Sequence, residues 1–267
     1  MSQEQTISYV LITGTTSGLG REFARIFAQN GYNIVAVARN EVLLQQQKQE
    51  LERQFGVEMV YIVKDLSAEN SAQEVYDEIK HKGINIDILI NNAGFGSFGR
   101  YIDVDWQRQK DLASVNMLAM MQLSYLFGKD MDRRGEGKIV NIASIASFQA
   151  GPYMAMYYAS KAFVRSFSEA LHEEMKSSGV SVTAICPGPV ATNFERNAHM
   201  INSAMFTRLR VYTPEVVAAK SYRAIMNNKA VYVVGWPNKL LVFLTRFCSL
   251  KFSRVLASKI NLGGGRK

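Results

Sequence analysis

Seven short apolar runs, rich in β-branched residues and separated by stretches of helical periodicity, constrain this chain more than any other feature. They run from Tyr9 to Ile12, Ile34 to Ala38, Met59 to Val63, Ile86 to Ile90, Lys138 to Ala143, Val180 to Ile185 and Val231 to Val234. A strand with one wet face alternates apolar and polar residues; most of these runs do not, so both of their faces must be covered. Parallel strands joined by crossover helices meet that demand. The expected fold class is therefore α/β, a Rossmann-like doubly wound parallel sheet of seven strands. Thr213-Pro214-Glu215 shows the expected helix punctuation, with Thr213 suited to the N-cap and Pro214 to the first helical position. No linker, repeat or low-complexity run divides the 267 residues, and a single domain over residues 1–267 is expected.

The first run leads into Thr13-Gly14-Thr15-Thr16-Ser17-Gly18-Leu19-Gly20, after which Leu19, Phe23, Ile26 and Phe27 recur at helix spacing. Strand, glycine turn and helix together form the context of a dinucleotide phosphate site. Gly14 permits a tight turn, Gly18 lets backbone approach a pyrophosphate, and Gly20 lets the helix lie close on the sheet, with its N-terminus favouring negative charge.

A second constellation lies past the middle of the chain. Tyr157 and Lys161 are four residues apart, which on a helix puts phenol and ammonium on one face. A free phenol titrates near ~10 and exchanges protons poorly at neutral pH; a neighbouring cation favours the phenolate, and Lys161 is expected to supply it. Tyr153 and Tyr158 have no lysine four places on. Ser144 stands just upstream, at the end of an apolar run.

From about Ser8 to about Val234 these blocks resemble the short-chain dehydrogenase/reductase family. Residues 13–20 resemble its cofactor turn, Asn91-Asn92-Ala93-Gly94 its motif after the fourth strand, and Pro187-Gly188-Pro189-Val190-Ala191-Thr192 its nicotinamide-side loop. Asn116, Ser144, Tyr157 and Lys161 fall where the family keeps its catalytic tetrad. Ala143, where many members carry a second serine, departs from the pattern, as does the tail beyond Trp236.

The resemblance implies hydride transfer between a nicotinamide and a carbonyl or secondary alcohol. Tyr157 would move the proton, Ser144 would donate to the substrate oxygen, Lys161 would also bond the nicotinamide ribose, and Asn116 would hold a water linking Lys161 to bulk. Cofactor contacts are implied for Gly14, Thr15, Thr16, Ser17, Gly18, Leu19, Gly20, Arg39, Asp65, Leu66, Asn92, Ala93, Gly94, Tyr157, Lys161, Pro187, Gly188, Val190 and Thr192. Asp65 would serve the adenine amino group, its alternative being a helix N-terminal acid beside Ser67. The family's habit of pairing through long helices, here from Asp105 to Arg134 and Met154 to Ser178, implies a homodimer or homotetramer. A rival reading keeps the fold as a cofactor-binding sensor or scaffold without turnover; the intact tetrad argues against it, because a binder needs no proton donor.

Coenzyme choice is read at the end of the second run, Val37-Ala38-Arg39-Asn40. An acid there would bond the ribose 2′-OH of NAD, whereas Arg39 offers the donor fork that suits a 2′-phosphate. NADP(H) is expected, with Thr15 or Asn40 as neutral donors and Glu41 as the rival residue. The stretch Phe194 to Tyr212, with Met200, Ile201, Met205, Phe206 and Leu209, is expected to cover a pocket for a hydrophobic carbonyl or alcohol substrate, helped by Phe95, Phe98, Phe148 and Tyr153. His199 in that stretch is expected to be incidental.

Charge is uneven along the chain. Of 31 Lys and Arg, seven lie beyond residue 230, at 239, 246, 251, 254, 259, 266 and 267, where no acid occurs; the body is nearly neutral. Nucleic acid is not an expected partner, since no recognised fold or aromatic platform for it is present. No metal site is expected. Cys186 and Cys248 stand far apart in apolar contexts, which suggests neither a disulfide framework nor a thiolate metal site and fits a reducing cytoplasm. The polar start, Met1 to Ser8, lacks the basic and apolar regions of a secretory signal.

In the tail, Leu240, Leu241, Leu244, Phe247 and Cys248 share one helical face and Phe252, Val255, Leu256 and Ile260 a second, with cations opposite. These faces are expected to cover the body, a partner subunit or the pocket. Peripheral contact with an anionic membrane is the further alternative, because Val242 and Phe243 lie near Lys239 and Arg246.

Overall fold

The computed structural model describes residues 8–192, 194 and 210–262. Seven strands, β1 (Tyr9–Thr13), β2 (Asn33–Ala38), β3 (Met59–Val63), β4 (Ile86–Asn91), β5 (Gly137–Ile142), β6 (Val180–Cys186) and β7 (Val231–Val233), form one sheet. Every pairing is parallel and the order is β3-β2-β1-β4-β5-β6-β7. The chain winds outward from β1 in one direction, then returns to β4 and continues in the other. Ligands in such sheets bind beyond the carboxyl ends of the strands, at this reversal.

Side chains alternate across each strand, and that period divides the apolar runs between two cores. Val10, Ile12, Ile34, Ala36, Ile88 and Ile90 meet α1 (Gly18–Gln29) and α2 (Glu41–Phe55) on one side. Leu11, Val35, Val37, Leu89 and Ile139 meet α3 (Ser71–His81) and α5 (Met120–Arg134) on the other. This is why the runs read as continuously apolar. On α1, Phe23 and Phe27 are fully buried, and Phe27 sets its ring edge-on to Tyr32 and Tyr222 at 5.4 and 5.0 Å. Thr213 occupies the N-cap and Pro214 the first position of α7 (Pro214–Met226).

The long helix expected from Asp105 to Arg134 is interrupted. α4 (Trp106–Ala113) passes into a π-helical turn, Ser114–Ala119, before α5 begins. Such bulges cluster at functional sites, and Asn116 lies within this one. α6 (Ala155–Met175) carries Tyr157 and Lys161 and packs against β6 and the short 3₁₀ turn Ile145–Phe148.

The tail folds as α8 (Trp236–Thr245) and α9 (Leu250–Leu262), and the apolar faces read from the sequence are only partly covered. Buried positions are Asn238 and Val242 on α8 and Ser253, Ala257 and Asn261 on α9. Leu240, Leu244, Phe247, Phe252, Val255 and Leu256 are exposed. Polar bonds fix the side of α9 that turns inward: Asn261 accepts from the Tyr158 hydroxyl at 3.1 Å and donates to the Pro152 carbonyl at 2.8 Å, and Ser253 donates to Gln149 at 3.0 Å. Among the described residues no helix is long and apolar enough to cross a membrane.

Candidate active site

The glycine turn is held by its neighbours across the sheet. The Thr13 hydroxyl accepts from the Asn92 and Ala93 backbone N–H groups at 3.0 and 2.9 Å, while the Asn92 side chain donates to the Thr13 and Gly14 carbonyls at 2.9 and 3.1 Å. Gly14 and Gly18 have φ of 73° and 55°, which side-chain-bearing residues rarely adopt. A Cβ on Gly20 would run into the Gly14 carbonyl oxygen. The Asn92 side chain thus shapes the turn. Thr13, which shares this task, is signalled in the sequence only by its place before Gly14.

This cradle fits a dinucleotide phosphate. Ser17 stands at the N-cap of α1 with no side-chain cap bond, and the buried Thr15 Oγ1 has no hydrogen-bond partner. Gly14, Thr16, Ser17, Gly18, Leu19 and Gly20 line a cleft of about 1200 Å³. Arg39, Asp65, Leu66, Asn92, Ala93, Gly94, Pro187, Gly188, Val190 and Thr192 line it as well. Thr15 lies beneath the turn, its carbonyl accepting from Gln47 at 3.2 Å.

Arg39 projects from the end of β2 with a side chain 78% exposed, its guanidinium 3.7 Å from Asp65. Asp65 also accepts from the Ser67 N–H and hydroxyl at 2.9 and 2.8 Å. Burial raises its pKa, but these hydrogen bonds and Arg39 outweigh that and hold it below the ordinary carboxylate value. Asn40 caps α2 by accepting from the Leu43 N–H at 3.0 Å, and Glu41 sits in the first turn of that helix.

At the other end of the cleft, Ser144, Tyr157 and Lys161 come together. Ser144 follows β5 and caps the 3₁₀ turn, its hydroxyl accepting from Ala146 N–H at 3.1 Å, and it lines the same part of the cleft as Tyr157. Lys161 donates to the Ile142 carbonyl at 2.7 Å, with Nζ 5.8 Å from the Tyr157 ring centroid. Burial pushes Tyr157 up to about 12, against a lowering effect of the nearby Ser144 hydroxyl, and pushes Lys161 down to about 8. In this geometry burial dominates the Tyr157 shift. Desolvation disfavours both charged forms, and the ammonium is turned to a backbone carbonyl. A protonated phenol is the form able to donate.

Asn116 is brought beside this group, with both amide hydrogens and its oxygen hydrogen-bonded. Its amide donates to the Phe95 carbonyl and Ser160 hydroxyl at 3.0 and 3.1 Å, and its oxygen accepts from Phe95 N–H at 3.1 Å. The π-helical turn thereby ties the loop after β4 to α6. A Cβ on Gly94 would sit 3.0 Å from the Asn116 oxygen and 3.5 Å from Lys161 Nζ, so the backbone passes close to both.

Phe95, Phe148 and Phe194 line the cleft, while Phe98 and Tyr153 pack on each other at 6.4 Å. Phe194 lies 5.2 Å from the Tyr157 ring. His199, Met200, Ile201, Met205, Phe206 and Leu209 lie outside the described residues. Arg108, not singled out from the sequence, also lines the cleft; it donates to the Gly96 carbonyl at 2.9 Å and lies 5.2 Å over the Phe95 ring. Leu241, Leu244, Phe252, Leu256 and Ile260 bring the tail helices to the same cleft. A Cβ on Gly188 would meet the Asn238 amide at 2.5 Å, so α8 sits directly on the loop after β6.

The sequence pattern of the short chain dehydrogenases matches residues 8–201. The chain belongs to that family, a family of oxidoreductases, and has its Rossmann-type sheet. The bovine (Bos taurus) very-long-chain 3-oxoacyl-CoA reductase is 35% identical over 195 residues, covering 70% of this chain and 61% of that protein. The chain thus spans about 61% of the length of that relative. A probable short-chain type dehydrogenase/reductase of Helicobacter pylori is 32% identical over 252 residues, 94% of this chain and 89% of the other. Among solved structures, a short-chain dehydrogenase from Sphingobium yanoikuyae in complex with NADPH superposes with a TM-score of 0.81 at 27% identity, over 90% of this chain and 94% of that one.

Proposed function

We propose that the chain is an NADP(H)-dependent oxidoreductase that interconverts a carbonyl and a secondary alcohol, and that it reduces a hydrophobic or lipid-like ketone. The observation that carries this reading is that Ser144, Tyr157 and Lys161 converge in the cleft that also contains the glycine turn, with Lys161 Nζ 5.8 Å from the Tyr157 ring. When bound, the nicotinamide supplies or accepts the hydride at its C4. The residues of the chain do the rest. Ser144 and Tyr157 donate to the carbonyl oxygen, where negative charge grows as the carbon is attacked. Tyr157 then gives up its proton to complete the alcohol. Lys161, charged below about pH 8, stabilises the phenolate left behind. Asn116 positions Gly94 and α6 around Lys161 through its bonds to Phe95 and Ser160.

Arg39 and the absence of an acid at Ala38 support NADPH, since an exposed guanidinium at this point can take a 2′-phosphate in exchange for its weak 3.7 Å contact with Asp65. The NADPH-bound structural neighbour supports the same coenzyme, and relatives named as 3-oxoacyl-CoA reductases support a carbonyl substrate. The cleft walls of Phe148, Phe194, Leu241, Phe252 and Leu256 support an apolar substrate. Exposed Leu118, Met121 and Tyr125 on the π-turn and α5, with Phe163 on α6, support a homodimer or homotetramer through these helices.

The test is NADPH oxidation with simple ketones, ketosteroids and 3-oxoacyl thioesters of graded chain length. Turnover that rises with apolar length is expected, and absence of turnover on all of them overturns the reading. NADH should serve poorly. Ala38→Asp combined with Arg39→Leu should move the NADPH-to-NADH preference by about 10- to 100-fold, the value of one or two charge-assisted hydrogen bonds. Equal use of both coenzymes by the unaltered protein would refute the role of Arg39.

A further inference from the structure

Two consecutive helices with their apolar faces turned outward need something to cover them. On α8 and just past its end, Leu240, Phe243, Leu244 and Phe247 follow i, i+3, i+4, i+7 spacing, and all are exposed; on α9, Phe252, Val255 and Leu256 follow i, i+3, i+4 and are exposed too. Exposure peaks around the turn between the helices, at 74% for Phe247 and 82% for Leu250. An apolar surface this continuous marks an interaction site. Its borders identify the partner. Lys239, Arg246, Lys251, Arg254 and Lys259 are all exposed, interleaved with these residues at one to four positions' distance, and no acid occurs beyond residue 230.

We propose that α8, the turn after it and α9 form a docking surface for an anionic lipid bilayer, with Phe247 and Leu250 entering the acyl region and the cations meeting lipid phosphates. Apolar residues sunk at the headgroup boundary and cations beside them are the two contributions that hold such helices in place. The body, nearly neutral in charge, contributes little to this attraction. The polar bonds of Asn261 and Ser253 to the loop before α6 hold α9 in the orientation that presents this face.

The surface continues into the cleft. Leu244, Phe252 and Leu256 are both exposed and part of the cleft wall, so the mouth would open at the bilayer surface. Resting on the function proposed above, this has a lipid-like ketone enter from the membrane with its aliphatic part against these residues.

Binding is tested separately from turnover. The full chain is floated with vesicles of phosphatidylcholine alone or mixed with phosphatidylglycerol, at low and high salt. Flotation with the mixed vesicles, weakened by salt, is expected; failure to float with them at low salt overturns the proposal. The Phe247→Asp, Leu250→Asp double variant, which leaves the cleft wall intact, should lose about tenfold or more of vesicle binding. It should keep its thermal midpoint and its turnover on a water-soluble ketone. If the variant floats like the parent, the docking surface lies elsewhere. If its only change is a smaller assembly by light scattering, the face is a contact between copies of the chain and the proposal fails. Should the variant not fold, Trp106→Phe leaves Trp236, 71% exposed at the start of α8, as the sole tryptophan. Quenching of its fluorescence by brominated phosphatidylcholine in mixed vesicles supports docking, and no quenching overturns it.

Discussion

Helix α1 and helix α9 solve opposite problems with similar means. α1 turns Phe23 and Phe27 onto the sheet and sends Arg21 and Arg25 to water, the arrangement that apolar burial alone would choose. α9 turns Ser253, Ala257 and Asn261 inward and leaves Phe252, Val255 and Leu256 outside. The difference lies in what each helix meets. α1 lies on an apolar sheet face, whereas α9 lies on the loop at residues 149–152 and the Tyr158 hydroxyl, which carry polar groups needing partners. Hydrophobic periodicity shows that a helix has two faces; only the surface it meets decides which turns inward.

The largest expected contrast between body and tail is in turnover. Tyr157→Phe removes the proton donor while keeping the ring contact with Phe194, and should lower kcat by about 10²- to 10⁴-fold with little change in NADPH affinity. Substituting exposed tail residues outside the cleft, such as Phe243→Ala, should leave kcat on a water-soluble ketone within about twofold. A folded Tyr157→Phe protein of undiminished activity would end the proposed mechanism.

Stability should divide along the same line. Phe27→Ala empties a site packed by Tyr32 and Tyr222 and should cost about 3 to 5 kcal/mol. Phe247→Ala, at a surface position, should cost about 0.5 kcal/mol or less. Denaturant midpoints measure both. A large loss from Phe247→Ala would mean that the tail's apolar face is buried in the protein's own assembly.

These contrasts bear on how much could be read before the structure. The β-branched runs located all seven strands to within one or two residues, because burial on both faces leaves a signal in consecutive residues. Glycine turns were legible for a similar reason, since φ values at Gly14 and Gly18 require glycine locally. Other features depend on contacts between distant segments. The π-helical turn at Asn116 is bound up with bonds to Phe95 and Ser160, and helical periodicity does not mark it. A buried chain in which Asn91 donates to Ser124 and Asn141, and Asn141 to Ser168, joins β4, β5, α5 and α6 with no sequence pattern to announce it. Likewise the Lys161 ammonium points to the Ile142 carbonyl, which four-residue spacing from Tyr157 does not reveal.

The polar anchor of the tail gives a smaller, sharper test. Asn261→Ala removes a bond to the Tyr158 hydroxyl and one to the Pro152 carbonyl, leaving both groups without that partner, at a cost of about 1 to 3 kcal/mol. Because the sheet core is untouched, the expected result is local release of α9, seen as faster amide exchange at 250–262 with protection retained in β1 and β4. Unchanged exchange in α9 would show that apolar contacts, not these hydrogen bonds, fix its orientation.

The smallest effect concerns Lys161, and its sign depends on pH. Burial pushes the folded ammonium down to about 8, while in the unfolded chain it titrates near ~10.4. Below pH 8 both states bind the proton, and folding carries the full cost of burying the charge. Between about 8 and 10 the unfolded state binds more protons than the folded one, so this residue's contribution to stability rises with pH across that window. Lys161→Met should therefore stabilise the protein at pH 7, by about 1 to 2 kcal/mol after allowance for the bond lost at the Ile142 carbonyl. The gain should shrink as pH rises towards 10, while turnover is lost throughout. Chemical denaturation of both proteins at pH 7 and 9.5 measures the difference, and a gain that grew with pH would show that the buried ammonium is stabilised by its surroundings and not strained by them.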